Sequence, residues 1–100
     1  MSNGETPRHV LEKTATYYRV SLHELKGKSR RAEIVFPRQV VMYFLRKELH
    51  LQLEAIGSFL GGRDHTTIMH GIEKIETLLA THDTKTGQET KEVRALFREP

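Results

Sequence analysis

The sequence predicts a compact all-α domain containing a helix-turn-helix, on three observations. Apolar residues recur at helical spacing, as in Ile68, Ile72, Ile75 and Leu79. Helix-start signals stand at Thr6-Pro7, at Ser21 with Glu24, and at Asp64. A glycine pair, Gly61-Gly62, separates a short apolar-periodic segment from a longer one.

Taken in order, residues 1–5 are expected to be a linker or expression remnant, and residues 6–100 the domain. A first helix runs from the Thr6-Pro7 signal to about Tyr18, with Val10, Leu11, Thr14, Tyr17 and Tyr18 on its inward side. Both tyrosines are expected in the core with their hydroxyls near the surface. Ser21 and Glu24 form a capping box for a short helix anchored by Leu22 and Leu25 and ended by Gly27. A long helix spans Ala32 to about Leu49, with Pro37 marking a first turn or a kink. A shorter one follows from Leu51 to Leu60, and the glycine pair stops it. Asp64 then caps a helix whose other face carries His65, Thr66, His70 and Lys74. After a polar stretch around Thr81 to Gln88, a last helix presents Val93, Leu96 and Phe97.

Composition narrows the function. Of the 100 residues, 37% are hydrophobic and 29% charged, the make-up of one folded domain rather than a disordered tail. With no cysteine there is neither a disulfide nor a thiolate metal site. No apolar run reaches the roughly 20 residues that span a bilayer, so no membrane is expected and the expected location is the cytoplasm. The 16 basic and 13 acidic residues give only +3, but the charge is local: Lys26 to Arg31 holds four cations and no acid.

The polar start of the helix after the glycine pair is the candidate reading surface. Arg63 has the donors to read a guanine edge or a phosphate, Asp64 accepts from a cytosine amine, and the threonines at 66 and 67 suit a thymine methyl or a phosphate. A structural role competes at two positions, since Asp64 caps the helix whatever it reads and His65 suits a solvated surface. A loop arginine beside such a helix can enter a narrow A·T-rich minor groove, although a solvated basic loop has the same composition.

Three stretches carry a family resemblance: Gly61-Gly-Arg-Asp-His-Thr-Thr-Ile-Met-His70, Gly27-Lys-Ser-Arg-Arg, and Phe36-Pro-Arg-Gln39. With the spacing between them, the chain from about Thr6 resembles the C-terminal DNA-binding domain of the DnaA family of bacterial replication initiators. The resemblance implies a Trp-repressor-like helical fold and double-stranded DNA as partner, at short non-palindromic A·T-rich sites of the TTATNCACA kind. It implies a major-groove set of Arg63, Asp64, His65, Thr66 and Thr67, and Arg30 in the minor groove, with Lys28 or Arg31 as substitutes. Phosphate contacts would come from Arg38 and Gln39, and Arg46 or Lys47 would face the DNA from the long helix. Departures from the family pattern fall at Lys47, at Glu54 where a proline is common, and at Gly71 where alanine is common.

The family's ATP site lies in a separate domain, and no Gly-x-x-x-x-Gly-Lys-[Ser/Thr] loop occurs here, so no cofactor is expected in this chain. An enzyme is disfavoured because His65 and His70, five apart on a helix, diverge by about 140°, and no activated nucleophile is evident. A protein-interaction module would differ from a DNA binder in being nearly indifferent to salt. A dimeric repressor of similar fold would need a self-complementary face, whereas a monomer without a small-molecule substrate is expected here.

Overall fold

Caps and apolar stripes set six helices in the computed structural model, which describes residues 5–100: α1 (Pro7–Tyr18), α2 (Leu22–Lys26), α3 (Ala32–Lys47), α4 (Leu53–Phe59), α5 (His65–Ala80) and α6 (Thr84–Leu96). No strand occurs among the described residues. Of the linker expected over 1–5, all but Glu5 lies outside them.

α1 starts where Thr6 Oγ1 accepts the His9 amide (3.1 Å) and Pro7 takes the first turn. At α2 the capping box closes in both directions: Ser21 Oγ accepts the Glu24 amide (2.9 Å) and Glu24 Oε1 accepts the Ser21 amide (3.0 Å). Gly27 ends α2 with φ −86°, so the left-handed glycine cap that its position predicts is not used. Pro37 falls in the second turn of an unbroken α3.

α3 is the axis of the core. Its Val40, Val41, Phe44 and Leu45 are fully buried, and α1, α2, α4 and α5 pack around it. Phe44 meets Phe97, just past α6, edge to face with centroids 4.9 Å apart. Tyr17 and Tyr18 lie half-buried at the edge of the core rather than within it, and their hydroxyls donate to Glu92 and Glu89 of α6. The hydrogen bond to Glu92, together with burial, pushes the Tyr17 hydroxyl pKa up to about 12.

Two boundaries differ from expectation. α4 begins at Leu53 rather than Leu51, because His50 turns left-handed (φ 57°) and the Leu51 amide reaches back to the Leu45 carbonyl (3.2 Å). α6 begins at Thr84, inside the stretch expected to be a connection. Asp83 caps it by accepting the Thr86 amide (2.9 Å) and hydroxyl (2.7 Å), and its inward line is Thr86, Thr90, Val93 and Phe97. Two of those four are threonines, which bury a methyl but read as polar.

Two helical glycines have opposite surroundings. A Cβ at Gly57 would overlap the carbonyl oxygen of Arg63, whereas one at Gly87 meets nothing within 4 Å. Gly57→Ala should therefore destabilise by about 3 kcal/mol through overpacking. Gly87→Ala should stabilise by up to about 1 kcal/mol through helix propensity. Urea melts of the two variants check the difference in sign.

Candidate nucleic-acid interface

The turn between α4 and α5 is built on Gly57. Its carbonyl accepts the amides of both Gly62 and Arg63 (2.9 Å each), so the chain doubles back directly over α4, where a side chain would collide. Gly61 and Gly62 take the left-handed conformation (φ 80° and 83°) that reverses the chain. Gly61 also lies against the Lys26 carbonyl at the end of α2 so closely that no Cβ fits. This seam ties the helix-turn-helix to the basic loop.

α5 opens with Asp64, whose carboxylate accepts the Thr66 amide (3.0 Å). That backbone hydrogen bond holds its carboxyl below the usual aspartate range. Asp64, His65, Thr66 and Thr67 are all exposed, as are Met69, His70, Glu73 and Lys74. Ile68, Gly71, Ile72 and Ile75 face inward. The helix therefore shows solvent a polar first turn bearing free amides and the positive end of its dipole.

The loop after α2 is pinned by two arginines. Arg38 of α3 donates Nε to the Leu25 carbonyl (2.8 Å), Nη2 to Glu24 (2.9 Å) and Nη1 to Ser29 (2.9 Å). Arg63, one residue before the α5 cap, donates Nη1 to the carbonyls of Leu60 and Lys26 and Nη2 to that of Gly27. Lys26 Nζ sits over the Phe59 ring, 4.5 Å from its centroid, which adds a tie from α2 to α4. Burial lowers the pKa of both guanidiniums, and the charge of Arg63 lowers that of Arg38 further. Both stay charged, because arginine has several units to spare.

Arg38 needs a correction. The resemblance implies a phosphate contact, yet its side chain is only 5% exposed and is committed to three main-chain carbonyls. Its donors replace the partners that the last carbonyls of a five-residue helix lack. Gln39 lies half-buried in the seam between α3 and α5, beside Gly71. Lys28, Arg30 and Arg31 are exposed; Arg31 pairs with Glu33 (2.8 Å), while neither Lys28 nor Arg30 makes a side-chain hydrogen bond among the described residues.

The loop and α5 border one cleft, lined among others by Lys28, Arg30, Arg38, Arg63 and Thr67. The long helix runs alongside α5 in the same direction: Val35 shares that cleft with Thr67, Met42 faces Gly71, and Lys47 pairs with Glu76 (2.7 Å). Arg46, exposed and donating to the Leu51 carbonyl (2.8 Å), and Lys47 thus stand well past the first turn of α5, about 13 Å along that helix. A Cβ at Gly71 would overlap Met42 Sδ, so a side chain there requires the end of Met42 to shift.

The model of the bacterial dnaA protein helix-turn-helix family matches residues 7–75. The chain belongs to that family. Curated DnaA relatives agree: the chromosomal replication initiator protein DnaA of Thermomicrobium roseum is 54% identical over 78% of this chain and 17% of its own length. Those of Roseiflexus castenholzii and Enterococcus faecalis are 45% and 42% identical over 89% and 88% of this chain, and 18% and 20% of theirs. The chain thus spans about a fifth of the DnaA relatives it matches. Within this DnaA helix-turn-helix, sequence reasoning missed Gly57 and Lys26. A glycine inside a helical pattern costs about 1 kcal/mol, and that cost was the available signal for a close approach at 57.

Arg38→Ala should cost about 3 kcal/mol of stability, because it strands the carbonyls of Leu25 and Ser29, whereas that of Glu24 keeps the Gly27 amide. Denaturant melts check it. The carboxyls of Asp64 and Asp83 both lie below their ordinary range, through the Thr66 amide and the Thr86 hydroxyl respectively. The native state therefore binds these protons less readily than the unfolded chain, and the caps stabilise above about pH 4 and fade as pH falls further. Asp64→Asn keeps a capping oxygen, so its melting temperature should stay near wild type at pH 7 and fall less steeply than wild type between pH 5 and pH 3.

Proposed function

We propose that this domain binds double-stranded DNA in a sequence-specific manner at A·T-rich sites of the DnaA-box kind, as the reading module of a replication initiator. It acts as a monomer and needs no cofactor of its own. The observation that carries the reading is the shared cleft: exposed Arg30 stands on one wall and the exposed first turn of α5 begins at the other. One arginine for a minor groove and one helix start for the adjoining major groove is the geometry that two-groove reading requires. The names of the relatives, chromosomal replication initiator proteins, support the initiator role.

Asp64, His65, Thr66 and Thr67 are the base and phosphate contacts from α5, with Arg30 in the minor groove and Lys28 and Arg31 beside it. Glu73, exposed two turns into α5, repels phosphates and confines the DNA to the helix start. Gln39 contributes at the seam, and Arg46 reaches a phosphate further along the duplex.

Fluorescence anisotropy at about 0.15 M salt, with one box duplex against a scrambled duplex, should show roughly tenfold preference or more, about 1.4 kcal/mol. Thr67→Ala should remove about 1–3 kcal/mol on the box and little on the scrambled DNA. Equal binding of both duplexes by the wild type would refute sequence-specific reading, and absence of binding to either would favour a protein partner.

A further inference from the structure

We infer that Arg63 is a positioning residue: it fixes the minor-groove loop against the recognition helix, so that both grooves are read in register, rather than reading a base itself. The inference rests on the DNA reading proposed above and assigns Arg63 a different task within it.

The geometry is specific. Arg63 immediately precedes the cap of α5, so its own main chain moves with the reading turn. Its guanidinium closes on the carbonyls of Leu60, Lys26 and Gly27. One side chain thereby joins the end of α4, the end of α2 and the start of α5. From Gly27 the loop is held again at Ser29, by Arg38. Arg30 follows directly, one Cα step of about 3.8 Å beyond the held Ser29. Arg31 in turn starts α3 as its N-cap. The backbone that carries Arg30 is thus fixed on both sides, while its side chain stays free and exposed.

No carboxylate pairs with Arg63 or Arg38 among the described residues; their partners are dipoles. A guanidinium suits this role because its rigid fork serves several carbonyls at once. An ammonium would keep the charge and lose the fork. That difference separates positioning from a phosphate contact.

A set of box duplexes in which each A·T pair is replaced in turn by G·C or by inosine·C supplies the test. Inosine lacks the minor-groove amine of guanine, so a minor-groove position tolerates inosine·C and rejects G·C. Wild type and Arg30→Ala together locate the positions under the loop. Arg63→Gln and Arg63→Lys should each weaken A·T preference there by about fivefold, the weight of one ordered side chain lost. Preference at positions read by α5 should be kept, and the salt slope of Arg63→Lys should match wild type. In the free protein, the Arg31 amide should exchange faster in both variants while those of Ile72 and Ile75 hold. Of the three freed carbonyls, those of Lys26 and Gly27 belong to half-buried residues that water reaches and that of Leu60 to a buried one, so thermal melts verify that both variants are folded under the conditions of the binding assay.

Full retention of A·T preference in both variants overturns the positioning role alone. Rescue by lysine with a slope flattened by about one unit in Arg63→Gln marks a phosphate contact and also overturns it. A selective loss at a major-groove guanine would make Arg63 a base reader and overturn positioning as well. A wild type that prefers no box overturns the DNA reading itself, and the role of Arg63 with it.

Discussion

The edge of this molecule that carries the basic loop and the start of α5 depends on guanidinium groups satisfying the carbonyl end of one very short helix. A five-residue helix forms little that is self-supporting, because nucleation is costly and most of its carbonyls have no partner within it. Arg38 and Arg63 supply the donors from two different parts of the chain. The carbonyl end of a helix is also where a positive charge is favoured. Placing two cations there without any carboxylate leaves the cleft beside them positive, so the bonds that hold the fold also prepare the surface for a polyanion.

α3 sets the spacing on which this edge rests. It carries Arg38 near its start, buries Val40, Val41, Phe44 and Leu45 in its middle, and offers Met42 to the flat side of α5 at Gly71. The absence of a side chain at Gly71 lets the two helices approach at that point. The helix-propensity cost of a glycine there is offset by close contact with the core axis.

Most of the fold was legible in the sequence because its signals are local. Thr6-Pro7, Ser21 with Glu24, and Asp64 each cap the helix they announce. Where the decisive partner lay far along the chain, the sequence was silent. Thr86 and Thr90 read as polar, yet packing buries them, so α6 starts earlier than hydropathy indicates. Gly57, inside a helical pattern, signals a close approach without naming Arg63 as the segment that makes it. In the candidate site, the polar turn from Asp64 to Thr67 and Arg30 are exposed, as a contact surface requires. Arg38 is not, and charge alone cannot tell a guanidinium turned outward from one turned onto carbonyls 9 to 14 residues away.

The edge-to-face pair of Phe44 and Phe97 has one more consequence. The family-model match stops at residue 75, in mid-α5, while a DnaA relative aligns with 89 of the 100 residues and so runs on into α6. The ring that covers Phe44 comes later still, from residue 97. A chain cut where the family match stops would keep the motif and leave its interior open to water, so any shortened version must return something the size of a phenyl ring to the same place.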